Sequence, residues 1–445
     1  MPGAIGRDAF LEIVGPALEL DRVDGVEALL LHSWSANTRF ASSQIHQSTA
    51  REDTSLRIRI VRDGRIGVAE TNEVTRDGAV AAARSAREMT DAVGSDPAFP
   101  GLAPVAPIPE PAPLDTTTAE ASPAYRAETV AAVVDRCGAG MHAAGAYETG
   151  AIELGLANTE GQVCWAPHTQ AALNVVVTGP NGGSGFAEAI APGIDGVDGA
   201  AAGARAAGKA GASADPQPID PGTYEVVLEP AATSTLVDFL GFIGFGGRSL
   251  LEGESCLSGK KDTQVAAPSI SIVDDATDPG TIGAPFDFEG VPKRKLDLIR
   301  DGVFRQGAYD RRTAKQAGTV STGHGLPAPN PDGPLPLHLC LEPGSSTVEE
   351  MIAATERGLL VTRFHYTNVV NAIASTITGM TRDGTFLIEN GRVVGPVANL
   401  RFTQSILEAL RDTSLVGTRA ELSGEFFFGV SRVPALKIDR FTFSS

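Results

Sequence analysis

Cysteine is scarce: four residues in a chain of 445, Cys137, Cys164, Cys256 and Cys340, lie far apart and form no C-x-x-C pair. That spacing excludes a small disulfide-stapled frame, and it points to reduced thiols in a cytosolic protein. Aromatic residues are also few, at 6%, but 42% apolar and 20% charged residues still suffice for a globular core and exclude wholesale disorder. Basic clusters are nearly missing. With a net charge of −18 and only the short PKRK at 292–295, the chain would repel a phosphate backbone, so nucleic acid is not an expected partner. No apolar run is long enough for a membrane. The nearest, AATSTLVDFLGFIGFGG at 231–247, falls short of the roughly 20 residues a span needs and carries Asp238 near its middle. The opening MPGAIGRDAFLEIVG places acidic residues where an export signal needs basic and then continuous apolar ones, so no signal is expected.

What remains is a chain long enough for two domains. Residues 8–19 suggest a helix, VEALLLHSWSANTRFA a strand running into a second extended piece, and SLRIRIVRDGRIGVAETN a hairpin turning at Asp63-Gly64. DGAVAAARSAREMTDAV reads as a helix, followed by a proline-rich excursion over 95–123 that cannot supply ladder donors. A helix over about 124–142 and strands near 149–166 and 170–178 come next, and GVDGAAAGARAAGKAG reads as a helix of small residues packed closely on a sheet. From Pro221 the pattern turns to strands, at YEVVLEP, SISIVDD, VFRQGAYD, LHLCLEPG, GLLVTRFHYTN, AIASTITGMTRDGTFLIENGRVVGPV and FFFGVSRVPALKIDRFTFSS. Three helices interrupt them: the 231–247 stretch, TVEEMIAATERG and TQSILEALRD. Asp383-Gly384 and Asn390-Gly391 each predict a hairpin turn. The expected fold is α+β: helices on a mainly antiparallel sheet over 1–220, then a β-rich domain of twisted sheets over 221–445.

Catalytic motifs are thin. In the 231–247 stretch Leu236, Phe239, Leu240 and Ile243 fall on one helical face, Asp238 lies off it, and the glycines fit no phosphate-loop frame. Ser258 and Lys261 satisfy S-x-x-K, and Cys256 lies near two lysines able to depress a thiol pKa, but no S-D-N or K-T-G accompanies them and the favoured reading is a polar loop after a helix. Seven histidines include no pair on one helix face of the kind zinc hydrolases use. His324, in Ser321-Thr322-Gly323-His324-Gly325, stands out because its glycines permit close approach of another backbone. In the segment opening at Pro285 and Phe286, Asp287 and Glu289 share one side, able to share a proton, bind a cation or pair with Lys293, Arg294 and Lys295. Arg363, His365 and Tyr366 either line a channel or face solvent.

Longer blocks are more specific. PFDFEGVPKRKLDLIRDGVF, RRTAKQAGTVSTGHG, LEPGSSTVEEMIAATERGLLVT and DGTFLIENGRVVGPV resemble the C-terminal domain of the TldD/TldE (PmbA) proteins, and TRFASSQIHQS, GRIGVAETNE and LANTEGQ resemble its N-terminal domain. The resemblance spans nearly the whole chain, in order. It implies a two-subunit cytosolic metallopeptidase acting on unfolded or modified peptides, with the peptide lying as an added strand. In that family a TldD-type subunit carries H-E-x-x-x-H on a helix after a strand and a proline-containing turn, and a late cysteine completes the site. A TldE-type subunit shares the fold without the metal. Aligned on Pro230, this chain has Asp238, Phe239 and Ile243 at the His, Glu and His positions; aligned on LEGE at 251–254, it has Gly244, Phe245 and Ser249. GEFFFGVSRVPALKIDRF has no cysteine, so the resemblance implies a TldE-type chain with no metal or catalytic residue of its own. Zinc is then expected in a TldD-type partner, and a homodimer is possible when the chain is alone. The segments around Pro285–Glu289, Ser321–His324 and Arg363–Tyr366 become candidates for the substrate chamber or the subunit interface. Two other readings stay open: a homodimer that binds peptides or a metabolite without cutting them, and a biosynthetic hydrolase acting on an amide or C–N bond through Cys256, Lys261 or His365.

Overall fold

The computed structural model describes residues 3–424 and 429–444. The first part is a six-stranded antiparallel sheet in the order β3-β2-β1-β4-β5-β6. Its strands are β1 (Gly25–Ala41), β2 (Gln44–Arg62), β3 (Arg65–Thr71), β4 (His142–Asn158), β5 (Val163–Thr178) and β6 (Ser184–Ala191). Five helices accompany it: α1 (Arg7–Leu18), α2 (Arg76–Ala92), the short α3 (Thr116–Ala119), α4 (Pro123–Val134) and α5 (Gly199–Ala212). Strand alternation explains why β1 is apolar on consecutive residues. Val26, Ala28 and Leu30 pack under α1 and α2, whereas Leu29 turns to the other face, against Leu154, Leu156 and Phe286.

The alanine-rich α5 lies as close to the sheet as its sequence predicts. A Cβ on Gly185 of β6 would sit 2.1 Å from the Ala206 carbonyl oxygen, which belongs to helix backbone and has little room to move. Gly185→Ala is therefore expected to destabilise the protein by about 1–2 kcal/mol through overpacking, read as a lower urea midpoint.

The second part holds β7 (Gly222–Leu228), α6 (Pro230–Gly244), α7 (Gly247–Glu252), β8 (Ile272–Asp274), β9 (Leu296–Arg300), β10 (Val303–Phe304), α8 (Arg311–Ala317) and β11 (Leu339–Leu341). It continues with α9 (Val348–Ala353), β12 (Arg357–Asn371), β13 (Thr376–Glu389), β14 (Arg392–Pro396), β15 (Arg401–Ser405), α10 (Ile406–Arg411), β16 (Thr413–Ser423) and β17 (Ser431–Ser444). β7 pairs with β12, β12 with β13, β13 with β15, β15 with β17, and β17 back with β7, so five strands close a ring. The rings of Phe364, Phe402 and Phe441 meet at centroid distances of 4.4–5.6 Å in the core that α6 and the ring strands share. The chain is α+β, as its pattern predicts.

Several local expectations need correction. The helix expected to reach 142 ends at Val134, and His142 already begins β4. The three strand pieces expected over 149–178 are two long strands paired as a hairpin. VFRQGAYD supplies only the two-residue β10, and the expected last strand begins at Ser431, its residues 426–428 and Ser445 lying outside the described residues. Asn390-Gly391 does turn the chain between β13 and β14, but Asp383-Gly384 does not. Asp383 (φ 55°) and Gly384 (φ 120°) sit inside β13 at a break in its register with β12, a bulge that uses the same positive-φ preference as a turn.

Candidate functional site

The apolar stretch that opens the second part is helix α6, entered from β7 through Glu229 with Pro230 in its first turn. Leu236, Phe239, Leu240 and Ile243 are at most 6% exposed and belong to the main core, so two of the three family metal positions hold buried hydrocarbon. In the other alignment Phe245 is equally buried and stacks on Phe304, at 6.3 Å between centroids. Asp238 points off the core face. Its Oδ1 accepts a hydrogen bond from Ser431 Oγ at the start of β17. Burial, with Glu188 of β6 adding like charge, pushes its carboxyl up to about 7. Glu188, also half-buried, is pushed up to about 6 by burial. The space beside Asp238 amounts to about 20 Å³, room for one water. Hydrocarbon cannot ligate zinc, and these residues do not fit the family's metal. Among the described residues no three His, Cys, Asp or Glu side chains converge as a metal site.

The acidic pair is brought together, but as structure. Asp287 Oδ1 accepts from the amides of Glu289 and Val291 (both 2.9 Å), and Oδ2 accepts from the amide of Gly325 (2.7 Å). Lys293 N donates to Pro285 O at 2.8 Å and Phe286 is buried, so the segment folds into a tight loop. Glu289 accepts from the amide of Arg311 at 3.0 Å and lies 3.7 Å from Arg59, which is also paired with Glu27 at 2.6 Å. This chain of charges joins the first sheet to the second part. Burial pushes Asp287 and Glu27 up to about 7 each. Glu27 escaped the sequence reading, although a single acid within the apolar run VEALLL is a visible signal of a buried partner.

The glycines around His324 do admit another backbone. A Cβ on Gly323 (φ 77°) would lie 2.9 Å from Pro292 O. Ser321 Oγ donates to Tyr309 O (3.1 Å), Thr322 Oγ1 shares a hydrogen bond with His324 Nδ1 (2.9 Å), and His324 Nε2 lies 3.0 Å from Asp274 Oδ1. Asp274, Lys293 and His338 complete this cluster, and sequence reasoning missed its centre because Asp274 and His338 stand on β8 and just before β11, far apart along the chain. Burial works against charge on Asp274, but Lys293 and the two histidines together hold its carboxylate well below the usual range.

Arg363, His365 and Tyr366 do not act together. Arg363 is buried, paired with Asp383 at 2.5 Å and stacked 4.2 Å over Phe186 of β6. His365 and Tyr366 touch each other, centroids 4.6 Å apart, and Tyr366 is 78% exposed. Cys256 contradicts the reading of an activated thiol: it is 2% exposed, and burial pushes its pKa up to about 11. Lys261 is exposed, and Ser258 Oγ donates to the carbonyls of Ser249 and Leu250.

A closed strand ring entered by a proline-led buried helix, beside an antiparallel sheet with its own helices, is an α+β architecture of two parts. The chain belongs to the PmbA/TldD family: the model for the PmbA/TldA metallopeptidase C-terminal domain matches residues 221–445, and that for domain 1 matches residues 26–90. It is 30% identical over 201 residues to a metalloprotease TldD homologue of Haemophilus influenzae, covering 42% of this chain and 41% of the relative. A metalloprotease of Methanothermobacter thermautotrophicus is 24% identical over 417 residues, 89% of each chain. The crystal structure of TldE from Thermococcus kodakarensis superimposes with a TM-score of 0.87 at 21% identity, covering 98% of this chain and 99% of that one. This last similarity establishes the fold. Among the described residues, no helix is long and apolar enough to cross a membrane.

Proposed function

We infer that this chain is the non-catalytic, TldE-type subunit of a heterodimeric zinc metallopeptidase acting on unfolded or modified peptides in the cytoplasm. The carrying observation is α6. At the positions where a TldD-type helix presents its His, Glu and His, this helix has Asp238, Phe239 and Ile243, the last two fixed in the core. A zinc-bound water cannot be generated here, because neither two imidazoles nor a carboxylate base converge. What the chain supplies is shape: it stabilises a TldD-type partner that holds the zinc, and helps enclose a chamber in which peptide lies as an added strand.

The test is reconstitution. The chain alone is expected to leave an unstructured peptide such as casein uncut. Mixed with the TldD-type paralogue of the same genome, it should form a heterodimer whose cleavage is stopped by chelator and restored by zinc. Chelator-sensitive cleavage by this chain alone would refute the reading.

A further inference from the structure

Between the first sheet and the second part lies a cavity of about 340 Å³, within the roughly 300–1,000 Å³ range of small-molecule sites. Its hydrocarbon lining comes from Leu31, Ile152 and Leu154 of the first sheet and from Phe286, Phe288 and Leu326 of the second part. Its polar lining is Lys293, His324 and His338 of the second part, with His168, the cross-strand partner of Ile152, and Gln170 on the first sheet. Three of them carry a buried nitrogen without a hydrogen bond. Lys293 is 6% exposed and its Nζ makes no hydrogen bond, reaching only an ion contact of 3.7 Å with Asp274; His338 Nδ1 and His168 Nδ1 also lack partners. A buried ammonium with no hydrogen bond costs several kcal/mol unless something else occupies its donors.

The arrangement has a direction. Asp274, the counter-charge, is 1% exposed and does not line the cavity, whereas Lys293 does, so the wall presents the cation and not its counter-charge. Asp287 does line the cavity, but backbone amides already occupy both its oxygens. Gly283 is required at the rim, since a Cβ there would lie 1.9 Å from His338 Nε2. The geometry points to a binding site for a small apolar carboxylate, its acid group on Lys293 and His338 and its hydrocarbon against Ile152, Leu154 and Phe286. Every residue named is in this chain, and none is one of the three family metal positions on α6.

A free acid and the C-terminus of a peptide present the same group, and the test separates them. Hydrocinnamate, its amide hydrocinnamamide, and N-acetylphenylalanine are titrated calorimetrically into the full chain. The expected result is saturable one-to-one binding of a carboxylate and at least about tenfold weaker binding of the amide, since one charge-assisted hydrogen bond is worth about 1.5–3 kcal/mol. Tighter binding of N-acetylphenylalanine assigns a peptide C-terminus, and tighter binding of hydrocinnamate a free acid. Lys293→Met should weaken the carboxylate at least tenfold. Should that variant not fold, Ile152→Trp, which changes no polar group and fills the apolar end, should abolish binding. Absence of binding by both carboxylates, equal binding of acid and amide, or affinity unchanged in Ile152→Trp overturns the proposal.

Discussion

Asp383→Ala is expected to lower the stability of the chain by about 3 kcal/mol, because it removes two charge-assisted hydrogen bonds from a buried guanidinium. Asp383 Oδ2 accepts from Arg363 Nε (2.7 Å) and Nη2 (2.5 Å), and its Oδ1 accepts from Ser184 Oγ. The stack of Arg363 on Phe186 places the same ion pair against β6, so this is a joint between the first sheet and the strand ring. A surface ion pair would contribute about 0–1 kcal/mol, and the expected loss is larger because Arg363 and Asp383, 8% and 4% exposed, are little screened by solvent. The double variant Arg363→Met/Asp383→Ala should regain part of the loss, because methionine puts hydrocarbon where the guanidinium lay. Urea unfolding of the three variants checks this. A loss below about 1 kcal/mol in Asp383→Ala would show that the joint behaves as a solvated pair.

The second large effect depends on pH. Asp238 is raised in the folded chain from its ordinary value of 3.8 to about 7. A raised carboxyl contributes stability that is fully present below its unfolded pKa and is lost as pH rises through the folded one. Between about pH 4 and pH 8 the folded chain must therefore either keep a proton that the unfolded chain releases or bury a charge. At full burial that shift amounts to about 4 kcal/mol, and partial solvent contact at Asp238 halves it to about 2 kcal/mol. Asp238→Asn keeps an acceptor for Ser431 and removes the ionisation. It should be more stable than the parent by about 2 kcal/mol at pH 8 and nearly equal to it at pH 4. Equal thermal midpoints at both pH values, or a less stable variant at pH 8, would count against the assigned environment.

Helix α6 shows what the sequence makes legible. The 3.6-residue stripe of Leu236, Phe239, Leu240 and Ile243 identifies a packing face, Pro230 marks its start, and Asp238 falls off the stripe in sequence as in space. Asn390-Gly391 is equally local and correctly placed. Asp383-Gly384 is not, because positive φ serves a bulge as well as a turn, and only pairing with β12 decides between them. β6, rich in small residues, and β16, rich in polar ones, lack the alternation that would announce them. The polar cluster behind the cavity is illegible for another reason. Asp274, Lys293, His324 and His338 come from separate segments, and only the folded sheet order makes them neighbours.

The most direct test of a TldE-type role is the zinc content of this chain purified alone, in reducing buffer without chelator. The account predicts a value near zero per chain, unchanged when zinc is added and dialysed away. About one tightly held zinc per chain, of the kind four protein ligands would fix, would contradict it.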